Sequence, residues 1–175
     1  EGARYDGVFA IWYGKGPGLE RALDAIKHGT SAGTAPNGGV LVLAGDDHGA
    51  VSSTLAHPSD HGMVAAMLPV INPASVQDYI DFGLLGWAMS RYAGTWVGFT
   101  AVGDTVESSA SVLVDPHRID INLPTDYEMP PGGLNIRWPD TALEQEARLH
   151  DYKRYAIRAF ARANSFDRIV IDSPR

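Results

Sequence analysis

The sequence VFAIWYGKGPG at residues 8–18 sets the class of fold that this chain can adopt. Its first part, up to Tyr13, is an apolar run with aromatic and β-branched side chains, which indicates a buried strand. The residues that follow, 19–27, have the pattern of a helix. A glycine-rich turn between a strand and a helix is where open α/β sheets bind ligands, because glycine allows close backbone approach and the helix start leaves N–H groups free.

Two common nucleotide-binding motifs do not match this turn. A Walker A loop requires serine or threonine after its lysine, but here Gly16 follows Lys15. The dinucleotide fingerprint requires a further glycine at the position that Leu19 occupies. The turn by itself is therefore compatible with a ligand site of another kind or with a purely structural connection.

The composition bounds the size and the class of the protein. A chain of 175 residues, 45% hydrophobic and 20% charged, is typical of one globular domain with a substantial core. A net charge of −7 without a basic stripe argues against nucleic-acid binding. The lack of cysteine excludes disulfides within this sequence, and no apolar run approaches the roughly 20 residues that span a bilayer. We therefore expect a cytoplasmic protein with no nucleic acid and no membrane as partner.

Alternating strand and helix patterns over residues 1–114 predict a parallel α/β core. Residues 7–13, 40–44 and 96–102 are the strand patterns, and helical patterns lie between them. Strands that alternate with helices form parallel sheets with right-handed crossovers. The expected fold class is α/β, a three-layer sandwich with a mostly parallel sheet.

The ends of the first two helices are predicted from capping residues. The helix that begins near Leu19 is expected to end at Gly29, since glycine is the usual residue just past a helix. Asn72 and Pro73 indicate the N-cap and first turn of the second helix, which is expected to continue to about Tyr92.

Prolines concentrate in residues 115–139, which we interpret as a proline-rich extended arm that packs on another part of the protein. Within it, residues 118–123 alternate between polar and apolar and predict an exposed or edge strand.

The remaining region, 140–175, is expected to complete or flank the core. Thr141 and Glu144 form a capping-box pattern that begins a helix, and Asn164 is its expected C-cap. The pattern at residues 167–175 predicts one more short strand.

A polar loop, GDDHGAVSSTLAHPSDH, follows the second strand at residues 45–61. In a parallel sheet it lies at the same edge as the glycine turn, so we expect a site there. Its catalytic candidates are His48, Ser52 and His57. Residues 104–111 follow the third strand and either reach the same edge with hydroxyl and carboxylate groups or form a plain capped loop.

Other interpretations of the loop stay open. Its carboxylates and imidazoles are possible ligands of a divalent metal, although the H-E-x-x-H pattern is absent and Pro58 restricts a helix between His57 and His61. A Ser–His hydrolase lacks the G-x-S-x-G elbow. Otherwise, Asp46 and Asp47 cap a turn and the histidines are ordinary surface residues.

Five motifs are spread over the whole chain. They are WYGKGPG at 12–18, GDDH at 45–48 with SST at 52–54, PVINP at 69–73, DTVESSAS at 104–111 and PPGGLNIRW at 130–138. Together they resemble the indolepyruvate ferredoxin oxidoreductase family, and most of all its long, fused bacterial form. The resemblance implies that residues 1–114 are the core of the pyrimidine-binding domain of a thiamine-diphosphate enzyme, a partial thiamine-diphosphate-binding fold.

The resemblance also implies a reaction and a set of partners. The family oxidatively decarboxylates aryl 2-oxoacids to acyl-CoA and passes the electrons to ferredoxin, with thiamine diphosphate, magnesium and an iron–sulfur cluster as cofactors of the parent enzyme. Coenzyme A, the remaining domains of the parent chain and further copies in a homo-oligomer are the other implied partners. The cofactor-binding residues expected here are Lys15, Gly16, Pro17, Gly18 and Asp47.

Several parts of the family's machinery do not match this sequence. The glutamate that contacts the pyrimidine ring is expected upstream of Glu1, and neither Glu20 nor Glu107 fits its motif. The G-D-G motif for diphosphate and magnesium is not present at Gly45, and no metal ligand is assigned. We expect this chain to be a fragment that is inactive alone and binds thiamine diphosphate weakly or not at all. The alternatives are a metal-dependent hydrolase that uses the Asp46–His61 loop, and a non-catalytic α/β interaction module.

Overall fold

The computed structural model describes residues 7–169 and 171–174, which form a four-stranded sheet surrounded by helices. The strands are β1 (Phe9–Lys15), β2 (Gly39–Asp46), β3 (Val70–Ile71) and β4 (Val97–Val102). The helices are α1 (Gly16–Ala32), α2 (Asp60–Ala65), α3 (Val76–Ala93), α4 (Gly103–Val106), α5 (Ala142–Arg148) and α6 (Arg154–Ala163), with a π-helical turn (Leu149–Lys153) that joins α5 to α6.

The sheet is parallel throughout, as the sequence predicts. Its order is β1-β2-β4-β3, so β2 pairs with β1 on one side and with β4 on the other. The register places Lys15 beside Gly45 and Gly45 beside Ala101. The carboxyl ends of three strands therefore lie next to one another at a single edge.

Helices cover both faces of the sheet, in agreement with a three-layer α/β arrangement. On one face, α1 and α2 pack against Val42 and Ala44 of β2. On the other face, α3 and α6 pack against Leu41 of β2 and Phe99 of β4. The alternation along β2 explains these two cores, because successive side chains of a strand point to opposite faces.

Helix α1 is longer than predicted at both ends. It begins at Gly16 rather than near Leu19, and the expected end at Gly29 is wrong. Gly29 stays inside the helix because the indole of Trp96 packs there, where a β-carbon would stand 2.3 Å from a ring atom. The helix ends instead at Gly33, whose φ of 104° favours glycine and whose N–H donates to the carbonyl of Gly29.

The predicted start of α3 is also wrong by a few residues. The N-cap is Ser75, whose hydroxyl accepts a hydrogen bond from the backbone N–H of Asp78 at 3.2 Å. Asn72 instead accepts a hydrogen bond from the hydroxyl of Thr100, so its side chain joins β4 rather than capping a helix. The other end, near Tyr92, is confirmed, since the helix finishes at Ala93.

The predicted strand at residues 118–123 is not formed, since no strand is present between β4 and α5. Leu113 and Arg118 contact side chains of α3 instead of pairing with a neighbouring strand. Gln77 exchanges two hydrogen bonds with the backbone of Leu113, and Arg118 forms an ion pair with Asp81. The strand predicted at 167–175 is likewise absent from the part of it that the structure describes, 167–169 and 171–174.

The last helical segment begins and ends as predicted. The capping box is present, with the Thr141 hydroxyl accepting from the backbone of Glu144 and the Glu144 carboxylate accepting from the backbone of Thr141. Asn164 is the C-cap, and its amide donates to the carbonyls of Phe160 and Asn122. The second of these bonds fixes the arm to the end of α6.

A buried basic residue joins this segment to α1. The Lys153 side chain, 0% exposed, donates from Nζ to the carbonyl of Ser31 at 3.0 Å. Burial, aided by the nearby guanidinium of Arg148, lowers the pKa of Lys153 to about 8. Arg148 itself binds Asp140 and the carbonyls of Gly133 and Asn135.

We predict that Lys153→Met removes a rise in stability at alkaline pH. The folded-state pKa, about 8, lies below the ordinary value of 10.5, so the unfolded chain binds more protons between these limits. The wild-type free energy of unfolding should therefore increase by about 3 kcal/mol relative to the variant as the pH passes through this window. Chemical denaturation at several pH values checks this, and Lys27→Met at an exposed position should follow the wild type.

Candidate functional site

Three distant parts of the chain line one cleft at the carboxyl edge of the sheet. They are the end of β1, the segment after β2 and the segment after β4, and the cleft has a volume of about 350 Å³. The lining residues are Lys15, Leu43, Gly45, Asp46, Asp47, His48, Gly49, Val51, Ser52, Ala101, Val102, Gly103, Asp104, Val106 and Glu107. The structure thus brings together the glycine turn, the Asp–His loop and the 104–111 segment.

The carboxylate of Asp47 organises the first part of the Asp–His loop. It accepts hydrogen bonds from the backbone N–H groups of Val51 at 2.9 Å and Ser52 at 2.8 Å, and from the Ser52 hydroxyl at 2.9 Å. The Ser52 backbone N–H is the largest cause of a pKa of Asp47 below its usual range, because these bonds favour the charged carboxylate. Lys15 donates to the Ser52 hydroxyl at 3.4 Å, which links the loop to the end of β1.

The base of the loop is closed by backbone pairing between Asp47 and His57. The N–H of Asp47 donates to the carbonyl of His57 at 3.2 Å, and the N–H of His57 donates back at 3.0 Å. Val51 and Leu55 lie exposed on the loop between them.

The imidazole of His57 faces helix α1 rather than the cleft. Its Nε2 lies 3.2 Å from a carboxylate oxygen of Glu20, and its ring packs directly on Gly16. A β-carbon at Gly16 would stand 1.9 Å from Nδ1 of this ring, so the contact requires glycine. Glu20 was not among the predicted site residues, although it lies one helical turn after Gly16 and so shares its face.

His48 and Asp46 form the second pair in the loop. His48 is half-exposed at the cleft, with its Nε2 3.8 Å from Oδ2 of Asp46. The Asp46 side chain is only 1% exposed, and its Oδ2 accepts from the backbone N–H of Ser59 at 2.9 Å. This distance is longer than a hydrogen bond, so the buried carboxylate lies beside the half-exposed imidazole without fixing its orientation.

The predicted residues divide between the cleft and its surroundings. Of the cofactor-binding candidates, Lys15 and Asp47 line the cleft, whereas Gly16, Pro17 and Gly18 form the first turn of α1 beside it. Of the catalytic candidates, the structure places His48 and Ser52 in the lining and His57 behind it.

The metal interpretation gains no support from this geometry. Among residues 7–169 and 171–174, no three histidine, aspartate or glutamate side chains gather into a set that could bind a metal ion. His57 is engaged with Glu20, and His61 lies exposed on α2.

Comparison of the chain with models of protein families, with curated proteins and with solved structures yields no match. In the part of the chain that the structure describes, the helices are too short or too polar to cross a membrane.

We predict that Gly16→Ala destabilises the protein mainly through its contact with the His57 ring. The added methyl group must displace the His57 ring, at a cost of about 1–3 kcal/mol. In a His57→Ala background the three nearest contacts are removed, so the same substitution should cost much less. Denaturation of the four proteins of this double-mutant cycle measures the coupling. Gly18→Ala is the matched control, because a β-carbon at Gly18 meets nothing within 4 Å.

A second prediction concerns the hydrogen bonds by which the Asp47 carboxylate anchors Val51 and Ser52. Asp47→Ala should accelerate amide hydrogen exchange at Val51 and Ser52, while Asp24→Ala on the far side of α1 should not. Because the pKa of Asp47 is lowered from 3.8, the anchoring is complete above that value and is lost as the pH falls through the folded-state pKa. Equal exchange rates in wild type and Asp47→Ala at neutral pH would contradict it.

Proposed function

We propose that this chain is part of a thiamine-diphosphate-dependent 2-oxoacid:ferredoxin oxidoreductase of the indolepyruvate type, in which the cleft forms the pyrimidine side of the cofactor site. One observation carries the proposal. Residues of three separate motifs that resemble this family line the same cleft at the carboxyl edge of a parallel sheet: Lys15, residues 45–48 with Ser52, and Asp104 with Val106 and Glu107. This edge is where α/β sheets bind their ligands.

The residues of the cleft fit one half of the cofactor. Leu43, Val51 and Val106 give it apolar walls suited to a flat ring, and its volume of about 350 Å³ is in the range of small-molecule sites. A diphosphate would need several cationic or N–H donors, but among the residues that the structure describes Lys15 is the only lysine or arginine in the lining. We therefore assign the ring to this chain, and the diphosphate and magnesium to another part of the enzyme.

The cleft residues then have separate roles toward the ring. Thiamine diphosphate, when bound, supplies the nucleophilic carbon and the electron sink for decarboxylation. Asp47 fixes the loop that forms one wall, and the apolar side chains offer contact surface to the ring. His48, beside the buried Asp46, is the group that holds or transfers a proton at this edge. Ferredoxin and coenzyme A are the proposed partners of the whole enzyme.

The proposal is tested in the longer enzyme that it requires. That enzyme should reduce ferredoxin in the presence of coenzyme A and an aryl 2-oxoacid such as indolepyruvate. His48→Gln should lower kcat by about a hundredfold, as expected for loss of a proton-transfer group, and His28→Gln on the exposed surface of α1 should not. Unchanged kinetics and cofactor affinity in His48→Gln would remove His48 from the site. Absence of the oxidation itself would overturn the proposed function.

The chain alone offers a second test. Since it supplies only the ring half of the site, calorimetric titration should show weak binding of thiamine diphosphate or none. Tight, magnesium-dependent binding would contradict the division of the site.

A non-catalytic interaction module is the second candidate function, and one observation favours it. Three large side chains on one face of β1 are half or more exposed: Phe9, Ile11 and Tyr13. Apolar surface of this kind marks contact with another protein or domain.

A further inference from the structure

Asp46 lines the cleft, and one oxygen of its carboxylate is an unused acceptor. Its Oδ2 accepts from Ser59, but its Oδ1 is buried and has no hydrogen-bond partner among the residues that the structure describes. No lysine or arginine lies within ion-pair distance of it in that part of the chain, and the nearest basic group is His48 at 3.8 Å. Buried carboxylate oxygens are normally satisfied, since an unmet acceptor of this kind is costly.

The charge around Asp46 selects the kind of group that can meet this acceptor. Asp46, Asp104 and Glu107 line the cleft, whereas Lys15 donates toward Ser52 and is directed to the loop. This excess of carboxylates opposes an anion and favours a cation or an N–H donor. Leu43, Ala101 and Val106 complete the lining with apolar surface, which suits a planar ring.

We infer that Asp46 is the hydrogen-bond acceptor for an N–H group of a planar, nitrogen-rich heterocycle that enters this cleft. The ligand class is an aminopyrimidine or a similar amidine-like ring, neutral or cationic, and excludes carboxylates and phosphates. The inference rests on the proposed function in that the ring of thiamine is an aminopyrimidine. It adds the residue that recognises the ring and the sign of charge that the cleft accepts.

The test uses the 175-residue chain, isotopically labelled, with 4-aminopyrimidine as the probe. Amide signals of Gly45, Val102 and Gly103 should shift with saturation in the millimolar range. Asp46→Asn should weaken binding by about tenfold or more, because the bond loses its charged acceptor. Asparagine keeps an oxygen for the Ser59 N–H, so the fold should be retained. Asp24→Asn, at an exposed site outside the cleft, should bind as the wild type does. Equal affinity of Asp46→Asn and the wild type overturns the inference, as does the absence of shifts at the solubility limit of the probe.

Two further measurements do not depend on Asp46→Asn. Benzoate and phenylpyruvate, added as anionic comparators, should bind more weakly than 4-aminopyrimidine at the same amides, and stronger binding of either overturns the inference. Ala101→Leu should reduce probe binding by filling the cleft, and unchanged affinity places the ligand elsewhere and overturns it.

The outcomes separate this inference from the proposed function. If the probe binds in an Asp46-dependent way but the longer enzyme does not oxidise aryl 2-oxoacids, the inference is supported and the proposed function is refuted. If the longer enzyme oxidises aryl 2-oxoacids and its Asp46→Asn variant binds thiamine diphosphate with full affinity, the proposed function is supported and the inference is refuted.

Discussion

The parallel pairing of β2 with both β1 and β4 is the constraint on which the rest of this structure depends. Since β2 is buried on both faces, its alternating side chains must supply two cores at once: Leu41 faces α3, and Val42 faces α1. A shift of one residue in its register would exchange the two sets. The same pairing brings the ends of three strands to one edge, so the cleft is a direct consequence of the sheet.

The features that follow from local pattern and topology could be predicted from the sequence. Apolar strand patterns separated by helices imply a parallel sheet, and a parallel sheet places the loops after its strands at one edge. The capping box at Thr141 is equally local, because both of its hydrogen bonds lie within four residues. These inferences need no knowledge of how distant segments pack.

The predictions that were wrong concern features set by contacts between residues far apart in the sequence. Gly29 has the chemistry of a helix end, but the Trp96 indole packs on it and the helix continues. Asparagine is a favourable N-cap residue, but the Asn72 side chain accepts a hydrogen bond from Thr100 of β4 instead of capping α3. In the site, packing likewise buries Asp46 and directs His57 toward Gly16. The sequence therefore identifies these residues as candidates but does not predict which of them face the cleft.

The π-helical turn between α5 and α6 accommodates one residue more than regular α-helical winding needs. Across this turn Arg148 and Lys153, five residues apart, are both buried ahead of Phe160. Deleting a single residue from Leu149–Lys153 would return the segment to regular winding, with the two basic residues four apart and still on one face. Deleting a residue within α5 or α6 would instead rotate the rest of that helix by roughly 100°, so a change of length is better tolerated at the π-helical turn.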